Sequence, residues 1–237
     1  MHPGTVKQFP YYDPWVGADY ADRKRRLDNR EHFSGSNWFL HVLGESHYVD
    51  DPNENGRDLT KRVVCRYSDP RGESAIFFNR VLQAAQGCDY YDVDRVGGWS
   101  DIAFSNYVQE PLSASRVAPD NGQWASAAKC LVSQLAITKP RVLLVLGKRL
   151  WDWFLYNHSE MIEIAPALDV HRNKTKVEDA RVVAYQQDDR VHFCLAVWSY
   201  HPSSSKFDAD LAHDRVVAAD MAHDNVIAGF REQSNQS

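Results

Sequence analysis

The sequence has few cysteines, and they do not come in pairs. Its four cysteines lie apart, at Cys65, Cys88, Cys130 and Cys194, and no C-x-x-C spacing occurs. Metal sites, iron–sulfur clusters and disulfide frameworks depend on cysteines at short or regular spacing, whereas isolated thiols are typical of the reducing cytoplasm. We therefore expect a cytoplasmic protein with neither a disulfide framework nor an iron–sulfur cluster.

Long apolar runs are also lacking. No stretch approaches the roughly 18 apolar residues that a membrane-spanning helix needs. The first residues, Met1-His2-Pro3-Gly4, show no basic start followed by an apolar segment, although a secretion signal would have both. The sequence thus predicts a protein that is not secreted and has no membrane partner.

Positive charge is in deficit. The formal net charge is −5, which argues mildly against a nucleic-acid partner, because Lys and Arg usually drive phosphate binding. An enzyme that holds a few phosphates with backbone N–H groups and one basic edge needs no global positive charge. One basic run occurs, Arg23-Lys24-Arg25-Arg26, although such a run taken alone is more often a solvated helix face.

The ten histidines do not show the spacing of a metal site. No H-E-x-x-H motif occurs, and His213 and His223 lie too far apart on one predicted helix to meet at a single ion. We expect neither a metal nor an organic cofactor.

Strand-like and helix-like segments alternate along the chain. Apolar runs predict strands at 38–43, 102–108, 141–146, 181–185 and 191–198. Helical spacing predicts helices at 74–86, 120–137, 148–156 and 208–230, with Gly87 capping the first. Residues 158–178 look irregular. We expect one domain over 1–237, with an N-terminal extension at 1–35 and a frayed tail at 232–237.

This alternation predicts the fold class. Strands separated by helices form parallel sheets through right-handed crossovers, with helices on both faces. We therefore expect a three-layer α/β/α domain around a central, mostly parallel β-sheet. Ligand sites in such sheets lie at the carboxyl ends of the strands, so chemistry is expected just after Leu43, Phe104, Leu146 and Trp198.

Four polar segments occupy these strand ends. They are Gly44-Glu45-Ser46-His47-Tyr48, Asn106-Tyr107-Val108-Gln109, Gly147-Lys148-Arg149 and His201-Pro202-Ser203-Ser204-Ser205. Each alone has a structural explanation, since Gly is common in turns and a buried Asn is often a satisfied structural group. Together they offer an amide that can read a base edge, an imidazole that can stabilise an anion, a carboxylate, and loops that can hold phosphate.

This set and its order along the chain resemble the uracil-DNA glycosylase superfamily, over roughly residues 37 to 230. In that family the first strand ends in Gly-Gln-Asp-Pro-Tyr or Gly-Glu-Ala-Pro-Gly, and residues 44–48 match the glycine, the glutamate of the second form and the tyrosine of the first. Asn106 lies in a strand similar to the family's base-reading Leu-x-Asn-x-Val. Residues 142–147 look like its later strand before a glycine, and residues 201–206 resemble its His-Pro-Ser-Pro-Leu-Ser motif.

The resemblance implies a monofunctional DNA glycosylase that hydrolyses the N-glycosidic bond of a flipped pyrimidine. His201 would donate a hydrogen bond to the departing base, Glu45 would hold the attacking water, and Asn106 would read the pyrimidine edge. The predicted substrate-binding residues are Gly44, Ser46, His47, Tyr48 (a pocket wall), Tyr67 (a candidate stacking aromatic), Ser203 (a phosphate ligand), Ser204 and Ser205. Phe77 and Phe78 have helical spacing and are assigned to the core.

Two positions depart from the family pattern. Ser46 replaces a water-activating aspartate, so Glu45 takes that role or Asp50 or Asp51 supplies it. Ser205 replaces the leucine that wedges into the duplex, with Phe207 as a candidate substitute. These departures indicate a specialised branch that excises uracil or a modified, 5-substituted pyrimidine. Foreign or phage DNA is one source of such a base, and the role would then be antiviral defence.

Two alternatives stay open. A metal-dependent nucleotide or phosphoester hydrolase would use Glu45, Asp50 and Asp51 around a divalent ion. A catalytically inactive DNA-binding module would keep the pocket without turnover. For the leading interpretation we expect DNA as the substrate and a monomer as the acting form.

Overall fold

The structure, a computed structural model, describes residues 12–29, 38–48, 56–114, 117–156, 162–165, 168–172, 175–187 and 190–234. In chain order the strands are β1 (Trp15–Val16), β2 (Leu40–Tyr48), β3 (Ala103–Leu112), β4 (Val142–Leu146), β5 (Ile162–Ile164), β6 (Leu168–Arg172), β7 (Thr175–Gln187) and β8 (Arg190–Ser199). The helices are α1 (Ala18–Asp28), α2 (Leu59–Ser68), α3 (Ile76–Gln86), α4 (Arg95–Asp101), α5 (Asn121–Thr138), α6 (Lys148–Tyr156) and α7 (Ala209–Ser234).

Four parallel strands form the centre of the sheet. The strand order is β1-β3-β2-β4-β8-β7-β5, and β6 pairs with β7. Strands β3, β2, β4 and β8 are parallel to one another, whereas β1 at one edge and β7 and β5 at the other are antiparallel to their neighbours. This arrangement confirms the predicted α/β/α domain with a central, mostly parallel sheet.

Helices cover both faces because the central strands are apolar on both sides. On β2, Leu40 and Val42 belong to the core beneath α3 and α7, whereas Leu43 belongs to the core beneath α5 and α6. Burying each such side chain contributes about 1.5–3 kcal/mol. Among the described helices, none is both long and apolar enough to cross a membrane.

The local signals at the helix ends act as the sequence predicts. Gly87 ends α3 with φ 65, a left-handed conformation that glycine adopts without steric cost. Asp120 opens α5 with a capping box, in which its carboxylate accepts from the Gln123 N–H at 2.8 Å and the Gln123 side chain accepts from the Asp120 N–H at 2.9 Å. These bonds satisfy N–H groups that the first turn leaves without helical partners.

Some elements differ from the prediction. The segment 158–178, predicted as irregular, contains β5, β6 and the start of β7, so that prediction is wrong there. In these strands apolar residues are interspersed with charged ones. They therefore lack the continuous apolar run from which the other strands are predicted. The predicted N-terminal extension supplies β1, which pairs with β3, and α1. Helix α7 runs to Ser234, into the segment predicted as a tail.

Gly44 and Asn106 lie level with the carboxyl ends of β4 and β8, although β2 and β3 continue beyond them. Gly44 on β2 is in register with Asn106 on β3, and Leu146 on β4 with Ser199 on β8. The polar segments that the sequence places after these strands therefore start from the same edge of the sheet.

Candidate active site

Gly44 and Asn106 form the floor of the site. They are paired in register, and a Cβ added at Gly44 would lie 2.2 Å from Oδ1 of Asn106. The Asn106 side chain therefore occupies the space that any other residue at position 44 would fill. Glycine is required here by this close approach rather than by its backbone angles.

The side-chain amide of Asn106 makes no hydrogen bond with any described residue, and its atoms are not among the fully buried polar atoms that lack a partner. The residue is 4% exposed, and the hydrogen bonds to it end on its backbone carbonyl, from Gln109 Nε2 at 2.5 Å and Gln134 Nε2 at 3.2 Å. An amide kept in this state is ready to bind a ligand that supplies a donor and an acceptor.

A buried chain of hydrogen bonds holds Asn106 from below. His41 lies between the hydroxyls of Thr138 (2.9 Å) and Ser105 (2.8 Å). Ser105 donates to Gln134 Oε1 at 3.1 Å, and Gln134 in turn donates to the Asn106 carbonyl. Burial lowers the pKa of His41 to about 3, so its ring is neutral. One ring nitrogen therefore donates a hydrogen bond and the other accepts one. This chain fixes the backbone position from which the Asn106 amide projects.

Glu45 is clamped by Arg149 at the start of α6. Arg149 Nε donates to Glu45 Oε2 at 2.8 Å, and Nη2 contacts Oε1. Both carboxylate oxygens are engaged by one guanidinium, a geometry that fixes orientation as well as charge. The hydrogen bonds that Arg149 donates to Glu45 also raise the pKa of Arg149. The Glu45 side chain is 14% exposed and that of Arg149 is 54% exposed, so the pair opens towards solvent on the arginine side.

His201 carries its proton on a defined nitrogen. Its Nδ1 accepts a hydrogen bond from the backbone N–H of Ser203 at 3.2 Å, so the neutral ring has its proton on Nε2. Burial lowers the pKa of His201 below its ordinary value; the carboxylate of Glu45 opposes this shift and Arg149 reinforces it. At neutral pH the ring is therefore an uncharged donor through Nε2–H.

The turn that carries His201 is held from several sides. Arg80 Nη1 donates to the carbonyls of Pro202 at 2.6 Å and Ser204 at 3.3 Å, and the Ser204 N–H donates to the His201 carbonyl at 2.7 Å. Gly147 lies beneath the turn with φ 112, and a Cβ there would be 3.8 Å from that of His201. The imidazole is thus positioned before any substrate arrives.

An aromatic ring from α3 lies beside His201. The ring centroids of Phe77 and His201 are 5.2 Å apart, and Phe77 also contacts Phe104, whose ring lies 3.4 Å from a Cβ at Gly44. The sequence assigned Phe77 to the core, and the structure places it between the core and the imidazole. Tyr67, the predicted stacking aromatic, stacks on Phe78, with 4.3 Å between the ring centroids.

Other predicted site residues lie at different distances from this centre. His47 is buried against α2, where Nε2 lies 2.9 Å from the Thr60 hydroxyl and burial lowers its pKa to about 4. Ser46 is half-buried and in register with Val108 on β3, and Tyr48 is 58% exposed at the end of β2. The structure therefore brings Glu45 to His201, and directs His47 into the interior.

Two of the serines after His201 make hydrogen bonds within the turn. Ser203 supplies the N–H bound by His201, and Ser204 Oγ accepts from the Lys206 N–H at 3.1 Å. Ser205 is exposed. Phe207, the candidate wedge, packs against the core, with Arg80 5.8 Å from its ring. The residue is half-buried, and its ring is partly held by packing.

The described residues contain no group of three or more His, Cys, Asp or Glu side chains that could hold a metal ion. The four cysteines are free thiols. Asp50 and Asp51, the alternative carboxylates, lie outside the described residues.

Comparison with known proteins adds no family. No model of a protein family matches this chain, and no curated protein matches its sequence. At the strand ends, the amide of Asn106, the neutral imidazole of His201 and the clamped carboxylate of Glu45 share one edge of the sheet.

Proposed function

We propose that this protein is a DNA glycosylase, which hydrolyses the N-glycosidic bond of a pyrimidine flipped out of DNA. The observation that carries the proposal is the Asn106 amide, which makes no hydrogen bond with a described residue and lies on the same edge of the sheet as the Nε2–H donor of His201. A pyrimidine presents a matching donor and acceptor edge to an amide. The exocyclic carbonyl oxygen next to the glycosidic nitrogen would accept the hydrogen bond from the imidazole.

The reaction has two demands that the site residues can meet. As the bond between the sugar and the base breaks, the electron pair leaves with the base and positive charge develops on the sugar. The Nε2–H of His201 stabilises the departing anion, a contact that strengthens in the transition state. Water adds to the sugar carbon, and the Glu45 carboxylate orients it and accepts its proton.

Arg149 supports this role of Glu45 by fixing the direction of the carboxylate. A bidentate guanidinium holds both oxygens in one plane, while each oxygen keeps a further lone pair for water. The pair also balances charge near His201, since an unpaired Glu45 would favour the protonated imidazole. The neutral donor is thereby preserved.

Phe77 takes the stacking role in this proposal. Its ring is half-buried and lies beside both His201 and Phe104, which is where a base held by Asn106 and His201 would present a face. Stacking on an aromatic ring contributes about 1–3 kcal/mol per base and offsets part of the cost of flipping.

We further propose a pyrimidine bulkier than uracil, such as a 5-substituted cytosine in foreign DNA, as the substrate, because Ser46 leaves space that an aspartate would fill. The acting form would be a monomer in the cytoplasm, a compartment that suits the four free thiols.

The test is an incubation with oligonucleotides that carry single modified pyrimidines, in EDTA, followed by alkali. A glycosylase releases free base, detected by mass spectrometry, and leaves abasic sites that alkali cleaves. Strand cleavage that EDTA abolishes would instead favour a metal-dependent phosphoester hydrolase. Binding without any release of base would favour an inactive DNA-binding module.

A further inference from the structure

Lysine and arginine side chains lie over the rings of two aromatic residues near the end of β8. Trp198 and Tyr200 pack edge to face, with ring centroids 5.3 Å apart. Lys148 Nζ lies 5.9 Å from the Trp198 centroid and the Arg215 guanidinium 5.0 Å from it. Lys206 Nζ lies 5.6 Å from the Tyr200 centroid. These five residues are called the cation–aromatic patch.

Lys206 differs from the basic residues of α1 in how its charge is held. On α1, Arg23, Lys24, Arg25 and Arg26 all pair with carboxylates. In the patch, Lys206 has no carboxylate partner among the described residues. A carboxylate neutralises the cation that it orients, whereas an aromatic ring orients the cation and leaves its charge available.

The other two cations are also fixed in place. Arg215 Nη1 donates to the backbone carbonyl of Trp198 at 2.6 Å, so the guanidinium is anchored to the strand as well as to the ring. Lys148 forms an ion pair with Asp152 one turn along α6, so its charge is partly neutralised, as on α1. The patch therefore presents preorganised positive charge in a protein whose formal net charge is −5.

The patch borders the candidate active site. Tyr200 immediately precedes His201, and Lys206 follows on the same turn, where its N–H donates to Ser204 Oγ. Lys148 follows Gly147, the residue beneath His201. A polymer that places one unit over His201 thus brings its neighbouring units to these cations.

We propose that the cation–aromatic patch binds the phosphates of the DNA strand next to the flipped nucleotide. Three fixed cations on one side of a single-unit pocket match a chain of regularly spaced anions better than an isolated one. The identity of the polymer as DNA rests on the proposed function, but the phosphate contacts do not require that any base be cleaved.

The experiment measures the binding of a fluorescein-labelled single-stranded DNA oligonucleotide of ordinary bases by anisotropy, over a series of NaCl concentrations. The logarithm of the association constant should fall linearly with the logarithm of the salt concentration, by about 0.7 per phosphate contact. Lys206→Ala should reduce this slope by about 0.7. The control Lys129→Ala, which removes an exposed charge from α5, should leave it unchanged.

A second variant separates charge from orientation. Tyr200→Leu keeps all three cations but removes the ring under Lys206, so we expect weaker binding at every salt concentration with a slope close to that of the wild type. A wild-type protein that binds no DNA, or a Lys206→Ala slope equal to that of Lys129→Ala, would overturn the proposal. If DNA is bound with the expected slopes but no base is released, the patch stands and the glycosylase proposal fails.

Discussion

The Oδ1 atom of Asn106 lies 2.2 Å from where a Cβ on Gly44 would be. A Gly44→Ala variant must therefore displace the Asn106 side chain. We expect base release to fall by about 10²-fold, as for the loss of one preorganised donor. Circular dichroism should show that the fold is retained. Gly229→Ala is the matched control, because nothing lies within 4 Å of its added Cβ. A fully active Gly44→Ala enzyme would show that Asn106 does not contact the base.

The clamped carboxylate gives a second prediction. Glu45→Gln should lower the single-turnover rate by about 10²-fold or more while leaving DNA affinity largely intact, since the amide cannot accept a proton from water. Arg149→Met keeps the carboxylate but frees its orientation, so a smaller loss of about 10-fold is expected. An Arg149→Lys variant should recover only part of this loss, because lysine cannot bind both oxygens in one plane.

A fully active Glu45→Gln enzyme would contradict this assignment and transfer the role to Asp50 or Asp51. Lys129→Met serves as the control for removing a positive charge. It should match the wild-type rate.

Two buried histidines predict how stability depends on pH. Burial lowers the pKa of His41 to about 3 and that of His47 to about 4, against about 6.5 in an unfolded chain. Above about pH 6.5 both states hold the rings neutral, so these groups leave stability unchanged. As the pH falls further, the unfolded chain takes up protons that the folded one does not. The free energy of unfolding should then fall by up to about 1.4 kcal/mol per pH unit for each histidine.

Urea unfolding between about pH 7 and pH 5 measures this slope. His47→Gln removes one titrating ring and keeps a polar partner for Thr60, so its slope should be shallower than that of the wild type. Equal slopes would mean that His47 titrates normally in the folded protein.

The substrate is predicted from position 46. Ser46 is smaller than the aspartate in one form of the glycosylase motif that residues 44–48 resemble, and the Tyr48 ring is exposed at the end of β2. We expect DNA with an enlarged 5-substituted cytosine to compete successfully with uracil-containing DNA, each scored by release of free base. A clear preference for uracil would rule out an enlarged pocket.

The framework of this site follows from the sequence, because apolar runs specify buried strands and parallel strands align their carboxyl ends. Gly44, Asn106 and His201 could be placed on one edge for that reason. The role of His47 could not, since β2 continues to Tyr48 instead of ending at Gly44. The strand's continued alternation places the His47 imidazole against Thr60.

Residues contributed by helices were harder to assign. Phe77 has the spacing of a core residue, and the same spacing places it on the rim where α3 meets the strand ends. Arg149 belongs to no sequence motif that would predict its contact with Glu45. Its partnership with Glu45 depends on β2 and β4 being neighbours, which the sheet order supplies and local sequence patterns do not.

The most direct test of the account is the single-turnover release of a modified pyrimidine by the wild type, His201→Ala and Asn106→Ala, with DNA affinity measured alongside. Both groups act mainly as the base departs, so each variant should lose roughly 10²–10³ in rate with little change in binding. Wild-type rates in both variants would contradict the assignment of the site.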